Sequence, residues 1–319
     1  MPHKCRICDN IEGNAIHKAR EMMFGLREEF DYIECAKCRC IQIEKVPEDL
    51  GRHYPHNYYA YQDGAPEISP PWKRRLKSHF SRHELGKKDA VGWLLSRTHR
   101  VVKIDWVACA KPDLDDPLLD IGCGNGYELN RLCDRGYTNL TGIDPFIEKD
   151  IAFENGVKIY KRDIAEMQGS FKTILLNHTF EHLPDPLASL RDISRLLQPG
   201  GTAVIRIPVS NCFAWEKYGV DWVQLDAPRH LFLHNEKTLD ILSAQAGLKV
   251  THVVYDSWSF QFQISEGYRR DISYVDQCQQ PPLPGETLAE YNRQSAALNA
   301  EKRGDQATFY LTGSSSRIN

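Results

Sequence analysis

The sequence predicts an α/β fold in which a doubly wound parallel sheet is covered by helices on both faces. The first observation is the stretch over residues 116–132, where a short apolar run is followed by three glycines and then by a helical pattern. Short apolar runs are typical of buried parallel strands, and a glycine turn at a helix start lets a ligand approach the backbone. The second observation is that strand-like and helix-like segments continue to alternate after this turn. Such alternation indicates a parallel sheet.

Apolar runs along the chain predict five strands in order, with a helix between the fourth and the fifth. The helix covers residues 186–197 and ends at Gln-Pro-Gly-Gly, a typical stop signal. The predicted strands are residues 118–121, 140–143, 157–160, 171–176 and 202–207.

The composition excludes several classes of protein. The chain has 319 residues, 41% hydrophobic and 26% charged, as in a globular protein with room for one large and one small domain. A net charge of −3 gives no reason to expect nucleic acid as a partner. No apolar run reaches the ~20 residues of a membrane span, and the N-terminus lacks the apolar core of a signal peptide. A cytoplasmic location is therefore expected.

Two C-x-x-C pairs near the N-terminus predict a structural zinc site. Cys5 and Cys8 form the first pair, Cys35 and Cys38 the second, and Cys40 lies close enough to be a spare ligand. Cysteines are reduced in the cytoplasm, and four thiolates at this spacing suit tetrahedral zinc. Because four protein ligands leave no open position, we expect the metal to hold together a small segment and not to act in catalysis.

Composition also divides the chain into segments. Residues 53–61 are rich in aromatic side chains, which either line a substrate cleft or dock the ribbon onto the main domain. Residues 72–109 are helical in pattern and rich in Lys and Arg, which favours a solvated helical face over a nucleic-acid surface. The predicted units are a zinc-ribbon segment at 1–62, a linker with basic helices at 63–110 and the α/β domain at 111–319.

The glycine turn itself reads D-x-G-x-G-x-G, from Asp120 through Gly122, Gly124 and Gly126. A dinucleotide fingerprint would need a glycine where Tyr127 stands. A carboxylate before the glycines would repel a pyrophosphate but suits a ligand with an ammonium group. S-adenosylmethionine (SAM) carries an ammonium and a sulfonium, so the turn predicts a SAM site.

Further residues are assigned to the same cofactor site. Asp144 ends the second strand, where an acid can accept hydrogen bonds from both ribose hydroxyls of an adenosine. Asn177, which directly follows the fourth strand, is assigned to the cofactor site as well. Asn125 and Tyr127 either shape the cofactor site or lie on the surface of the first helical turn.

In order and spacing, these motifs resemble the class I SAM-dependent methyltransferases, which have a Rossmann-like seven-stranded sheet. The resemblance runs from about residue 110 to the C-terminus. It implies that residues 248–255 and 306–311 are the sixth and seventh strands, the last one antiparallel beside the fifth. It also implies that Asp163 accepts from the adenine amino group and that the backbone amide of Ile164 meets the ring. The matching segments are residues 118–126, 142–145, 162–164, 181–186 and 197–201.

The ribbon, the Tyr-Pro-x-x-Tyr-Tyr segment at 54–59 and Asp226-Ala-Pro-Arg-His-Leu resemble a bacterial branch of that family. The branch implies pathways of surface polysaccharides, modified sugars and secondary metabolites. His230, after the fifth strand, is a candidate general base, or alternatively a structural histidine that pins this connection. Arg229 is a candidate to hold a substrate phosphate or carboxylate. Trp215, Tyr218 and Trp222 are candidates to stack on a sugar ring.

A second candidate group lies just past the fourth strand, where His178, Glu181 and His182 form H-x-x-E-H. It resembles the E-x-x-E-H site with which small-RNA and ubiquinone-pathway O-methyltransferases hold a divalent metal. His230 could complete such a site here. His178 replaces a carboxylate, which lowers the negative charge and weakens the case for magnesium.

The sequence therefore predicts a SAM-dependent methyltransferase that acts on a hydroxyl of a carbohydrate or sugar-bearing metabolite, with Glu181, His182 and His230 as the catalytic candidates. Its expected cofactors are SAM and structural zinc, with a candidate divalent metal, and its expected partner is a small-molecule or glycan acceptor. Two enzyme alternatives are C-methylation of nucleotide-linked deoxysugars and small-molecule methylation in secondary metabolism. An alternative of another class is a non-catalytic binding factor recruited through its ribbon, which the intact acids Asp120, Asp144 and Asp163 argue against.

Overall fold

A computed structural model describes residues 3–54, 69–98 and 104–314, which contain twelve strands in two sheets. The strands are β1 Ala15–Arg20, β2 Glu29–Glu34, β3 Ile41–Ile43, β4 Leu118–Ile121, β5 Leu140–Ile143, β6 Ile151–Ala152, β7 Lys158–Tyr160, β8 Phe171–Asn177, β9 Leu197–Pro208, β10 Phe232–Leu233, β11 Leu248–Tyr255 and β12 Gln306–Gly313. The predicted aromatic segment beyond Tyr54 and residues 63–68 and 99–103 of the predicted linker unit lie outside the described residues.

Ten α-helices in the described residues surround the sheets. They are α1 Pro71–Glu84, α2 Ala90–Thr98, α3 Asp105–Ala110, α4 Tyr127–Asp134, α5 Pro186–Leu196, α6 Phe213–Tyr218, α7 Glu236–Gln245, α8 Phe260–Tyr268, α9 Tyr274–Cys278 and α10 Gly285–Ala300. In residues 3–54, 69–98 and 104–314, no helix has the length and apolarity needed to cross a bilayer.

The larger sheet confirms the predicted α/β fold. Its strand order is β11-β12-β9-β8-β4-β5-β7-β6, with β4 parallel to β5 and β8, and β9 parallel to β8. Strand β12 runs antiparallel between β9 and β11, as the family resemblance implied. The parallel strands end at one edge of the sheet, which is where ligands bind in such folds.

Two features of this sheet differ from the sequence prediction. Strand β6 is an additional strand of two residues, antiparallel to β7, and so short a strand has no periodicity of its own. Strand β9 begins at Leu197 and not at residue 202, because Leu197 already pairs with Phe171 across an irregular register. The preceding helix accordingly ends at Leu196.

The smaller sheet joins the N-terminal segment to the α/β unit. Its order is β1-β2-β3-β10, and β10 comes from much later in the sequence than the other three strands. In this pairing Phe232 lies opposite Gln42 and Leu233 opposite Ile41. The Arg6 guanidinium lies 4.2 Å from the centre of the Phe232 ring. One hydrophobic cluster runs through both units, so the ribbon is built onto the α/β unit. The unit boundaries at residues 62 and 110 stay predictions.

Candidate active site

The cofactor turn has the backbone that the sequence predicts. Strand β4 ends at Ile121, and Gly122, Gly124 and Gly126 follow with φ angles of 72°, 53° and 85°, a region that side chains with a Cβ rarely adopt. A Cβ at Gly122 would lie 2.4 Å from Thr179 Cγ2, so the turn also packs closely against the segment after β8. Helix α4 then begins at Tyr127. The glycines therefore permit both the positive φ angles of this turn and the close approach of Thr179 to its backbone.

Two buried carboxyl groups flank this turn. Burial raises the pKa of Asp120 well above its usual value, with the nearby Glu128 and Asp144 adding to the effect. Asp144 accepts hydrogen bonds from the backbone amides of Gly124 and Phe146, at 2.9 and 2.8 Å, and burial raises its pKa as well. The structure thus brings both predicted acids to the glycine turn, and this arrangement fits SAM.

The other predicted cofactor residues lie along the same edge of the sheet. Asp163 is exposed, and its carboxylate accepts from the Ala165 amide to cap the short helix Ile164–Glu166. Ile164 is buried, and Asn177 is exposed at the end of β8. Their contacts with adenosine stay predictions.

Glu181, His182 and His230 form a group at the end of β8. One candidate ligand atom from each lies within 4.8 Å of the others. Glu181 is 0% exposed, and its Oε1 lies 3.9 Å from His230 Nε2. Its Oε2 is buried without a hydrogen-bond partner in the described part of the chain. A buried, unsatisfied carboxylate oxygen is costly, so the site is suited to a cation or a donor group that enters it.

Hydrogen bonds assign the tautomers of both imidazoles in the neutral state. His182 Nδ1 donates to the Arg229 carbonyl at 2.9 Å, and His230 Nδ1 donates to the Gln224 carbonyl at 2.7 Å. Each Nε2 is then an acceptor. This is also the arrangement typical of histidines that bind metals, where a carbonyl fixes the ring from behind.

Burial determines the charges in this group. Burial lowers the pKa of His230 to about 4, so the ring is neutral at neutral pH. An exposed histidine, by contrast, has a pKa near 6.5. Burial would raise the pKa of Glu181, but His178, His182 and His230 together lower it to about 2. The group therefore contains the charged Glu181 carboxylate beside the neutral ring of His230.

His178, predicted as a further metal ligand, stands outside this group. Its Nε2 accepts from Arg206 Nη1 at 3.2 Å, which leaves the proton on Nδ1, and Nδ1 donates to Glu181 Oε1 at 3.3 Å. Arg206 in turn donates to Asp256 at 2.6 Å. Both nitrogens of His178 are thus engaged, and its role here is to orient Glu181.

Arg229 is not placed to hold a substrate anion. Its side chain is 0% exposed and pairs with two carboxylates, Asp226 at 2.9 Å and Glu21 at 3.0 Å. A third contact goes to the His53 carbonyl. The charge of Arg229 is therefore neutralised inside the protein, where it ties the turn before His230 to the N-terminal segment.

The three aromatic residues predicted to stack on a sugar ring are also buried. Trp222 donates from Nε1 to Asp305 at 3.0 Å, and Tyr218 donates to Glu266 at 2.8 Å. Trp215 packs edge-on against His17 of the ribbon, with ring centres 5.0 Å apart. These rings fill the junction between the two sheets, which the sequence could not reveal because half of the junction lies some 200 residues earlier in the chain.

Sequence reasoning missed the residues of the ribbon that reach this site. The Tyr32 hydroxyl donates to the His230 carbonyl at 2.9 Å, and Glu21 binds Arg229. Tyr54 was not missed, since it belongs to the aromatic segment at 53–61, and its hydroxyl lies 3.2 Å from His182 Nδ1. Neither Glu21 nor Tyr32 belongs to a motif, so only the tertiary structure shows their role.

The four predicted zinc ligands come together in the ribbon. Their sulfurs lie within 4.8 Å of one another, with Cys5 and Cys38 at 3.6 Å and Cys8 and Cys35 at 3.5 Å. The contact with Cys38 lowers the pKa of Cys5 to about 5, which favours a thiolate. Cys40 lies outside this group, with its thiol directed to the Ile41 carbonyl. The group could hold zinc as a tetrathiolate site.

Comparison with known proteins shows a methyltransferase domain. A family model described as "Methyltransferase domain" matches residues 94–253, half of the chain. A ubiquinone biosynthesis O-methyltransferase of Pseudomonas aeruginosa (strain UCBPP-PA14) is 28% identical over 201 residues, 56% of this chain and 84% of that protein. The protein of the same name from Xanthomonas campestris pv. campestris (strain B100) is 26% identical over 196 residues, 54% and 80% of the two chains.

Solved structures of methyltransferases show a more distant likeness. A SAM-dependent methyltransferase from Mesorhizobium loti has a TM-score of 0.41 and 16% identity, covering 65% of this chain and 95% of its own. A complex of the Haloferax volcanii Trm112 methyltransferase activator with a methyltransferase has a TM-score of 0.44 and 17% identity. This match covers 76% of this chain and 92% of that chain. The matched family model and the cofactor turn identify the chain as a member of the methyltransferase-domain family and as a SAM-dependent methyltransferase.

Proposed function

We propose that this enzyme methylates a hydroxyl oxygen of a small-molecule acceptor, and that Glu181, His182 and His230 receive this hydroxyl. The observation that carries the proposal is the buried Oε2 of Glu181, which has no partner within residues 3–54, 69–98 and 104–314. The hydroxyl of the substrate that receives the methyl group could donate a hydrogen bond to this oxygen. The same segment touches the cofactor turn through Thr179 and Gly122, so acceptor and cofactor would be neighbours.

In this reading His230 takes the proton of the acceptor. Its ring is neutral, and its Nε2 carries the lone pair that would receive the hydroxyl proton. The Gln224 carbonyl holds the proton on Nδ1 in place. Glu181 and Asp226, at 3.9 and 3.8 Å from Nε2, would stabilise the imidazolium that forms. SAM, when bound, supplies an electrophilic methyl group.

A divalent cation held by the same three residues is a second candidate. Two histidine nitrogens and one carboxylate suit zinc, manganese or ferrous iron better than magnesium. Such an ion would lower the pKa of a bound hydroxyl. The unpartnered carboxylate oxygen and the two carbonyl-fixed imidazoles favour this candidate.

The acceptor class is proposed more broadly than the sequence alone suggested. Relatives that carry the name O-methyltransferase support oxygen as the acceptor atom, in preference to carbon. Carbohydrate and sugar-bearing acceptors stay within the proposal. However, burial of Arg229, Trp215, Tyr218 and Trp222 removes the side chains that favoured them.

The test is methyl transfer from labelled SAM to three probes: a catechol, a free hexose and a nucleotide-linked sugar. His230→Gln should reduce turnover roughly 10²–10⁴-fold with SAM affinity unchanged, because the proton acceptor is lost. His252→Gln is the matched control, since His252 is exposed on β11. Near-normal turnover of His230→Gln would refute both candidates.

The same assay separates the two candidates. If a cation is required at this group, His182→Gln should be as damaging as His230→Gln, and manganese added without zinc should restore activity after a brief chelation that leaves the ribbon's zinc in place. If His230 acts as the base without a metal, His182→Gln should retain most of its turnover and added manganese should have no effect.

A further inference from the structure

The hairpin of helices α1 and α2 carries a concentration of exposed apolar side chains that the methyl-transfer site does not use. Twelve large hydrophobic side chains are exposed in the described part of the chain, and five of them lie within this one hairpin. Trp72 is 62% exposed, Trp93 47% and Leu94 55%, and Leu76 and Val91 are exposed beside them. Scattered exposed hydrophobic residues need no explanation, but a cluster of this kind marks an interaction surface.

The outward direction of these side chains follows from how the two helices pack. Asp89 caps α2 by accepting from the Gly92 amide at 2.8 Å and pairs with His79 of α1 at 2.8 Å. A Cβ at Gly92 would lie 2.1 Å from the His79 carbonyl oxygen, so α2 lies against α1 on its glycine side. Val91, Trp93 and Leu94 are consequently left on the solvent side.

The opposite side of α1 is occupied by the methyltransferase unit. Lys77 pairs with Asp134 at the end of α4, and the Ser81 hydroxyl donates to the Arg135 carbonyl at 2.9 Å. The hairpin is thus fixed to the protein through other residues of α1, and its apolar side chains stay exposed.

The same hairpin is strongly basic in an acidic protein. Residues 69–98 contain eight Lys or Arg and two acidic residues, whereas the whole chain has a net charge of −3. Two of these cations lie against the exposed indoles, Arg97 at 4.2 Å from the Trp93 ring and Lys73 at 5.4 Å from the Trp72 ring. Arg75, Arg82 and Lys88 are exposed on the hairpin as well.

We propose that the α1–α2 hairpin docks the enzyme on an anionic lipid surface. Tryptophan rings and aliphatic side chains among lysines and arginines are the composition of helices that lie in the headgroup region of a bilayer. Negative headgroups would attract the cations, and Trp93 and Leu94 would enter the boundary with the acyl chains. Nucleic acid fits less well, because Leu76, Val91 and Leu94 are aliphatic and offer no ring on which a base could stack.

The experiment measures binding of the full-length protein to vesicles by flotation. Vesicles of phosphatidylcholine alone are compared with vesicles of phosphatidylcholine and phosphatidylglycerol. We expect binding only to the anionic vesicles and a decrease with added salt. Two variants should each bind at least about tenfold more weakly. One is the double variant Trp93→Ala with Leu94→Ala, and the other is the triple variant Arg75→Glu, Arg82→Glu and Lys88→Glu. Trp258→Ala is the matched control, because Trp258 is 53% exposed outside the hairpin.

Several outcomes would overturn the proposal. They are unchanged binding of either hairpin variant, equal binding to neutral vesicles, and loss of binding in Trp258→Ala. Tighter binding to a single-stranded oligonucleotide, weakened by the same variants, would assign the face to nucleic acid instead. Unfolding temperatures of all variants check that the fold is intact. Since the readout is vesicle binding without an acceptor, the result does not depend on the proposed methyl transfer.

Discussion

At the scale of single residues, Asp144 links the cofactor prediction to a measurable affinity. Its carboxylate lies at the glycine turn and accepts two backbone amides. Bonds from ribose hydroxyls to this carboxylate would be charge-assisted, about 1.5–3 kcal/mol each. Asp144→Ala should therefore weaken SAM binding at least about tenfold, measured by calorimetry. Asp115→Ala, which alters an exposed acid before β4, should bind SAM normally. Unchanged affinity in Asp144→Ala would remove the ribose assignment.

Tyr32 provides a second test at this scale, because it acts on His230 from the ribbon. Tyr32→Phe removes the hydroxyl that donates to the His230 carbonyl and leaves a buried acceptor unsatisfied, at a cost of about 1–3 kcal/mol. We expect a several-fold lower kcat with unchanged SAM affinity. Tyr255→Phe, which loses a hydrogen bond to Glu236, should keep its kcat. If both variants are equally active, Tyr32 does not position His230.

The residues of the cofactor half of the site could be predicted from the sequence, whereas those of the acceptor half could be predicted only in part. The cofactor residues lie in short local motifs at the ends of two strands, so their positions follow from the nearby sequence. They are Asp120, the three glycines and Asp144. In the sequence, Arg229 and Trp222 look like substrate-binding residues. Nothing near them in the chain shows that Glu21 pairs with Arg229 or that Asp305 accepts a hydrogen bond from Trp222. Burial is set by partners distant in sequence, so it requires the tertiary structure.

At the scale of elements, the strands beside the cysteine group and the strand that follows His230, in the proposed acceptor site, share one sheet. Cys35 and Cys38 lie between β2 and β3, and β3 pairs with β10 directly after His230. The Cys38 carbonyl also accepts from Asn235 at 3.0 Å. A disordered ribbon would therefore release the strand that follows His230.

The double variant Cys35→Ser with Cys38→Ser tests this connection. Protein prepared without chelator should contain about one zinc per chain, and the variant should contain none. Methyl transfer should fall at least about tenfold in the variant, since the sheet that holds the turn before β10 loses its metal. Cys278→Ser, at an exposed cysteine, should retain both zinc and activity. A zinc-free variant with full activity would show that the ribbon is independent of the site.

The same elements show which parts of the fold a sequence can reveal. Strands β4 and β5 were predicted with their observed bounds because each is a continuous run of suitable residues, whereas the bounds of β11 came from the family resemblance. Strands β6 and β10 have two residues each and exist only through their partners, β7 and β3. The antiparallel insertion of β12 came from the family resemblance and not from its residues.

At the scale of the whole molecule, the hydrophobic cluster that runs from the ribbon to β12 makes stability a property of the joined units. His234 lies inside this cluster, 0% exposed, in ring contact with Phe180 and Phe232. Neither of its ring nitrogens has a hydrogen-bond partner among the residues that the structure describes. A proton on this ring would thus be buried without compensation.

His234 should therefore destabilise the whole fold in acid. Burial lowers its pKa to about 3 in the folded state, against about 6.5 in an unfolded chain. Between these values the unfolded state binds a proton that the folded state does not, so the free energy of unfolding falls as pH drops below about 6.5. His234→Phe removes this term, and its urea-unfolding free energy should fall about 1.4 kcal/mol less than that of the wild type between pH 8 and pH 5.5. His252→Phe, at an exposed site, should follow the wild type. An identical acid dependence in His234→Phe and wild type would mean that the buried ring is protonated in the folded protein.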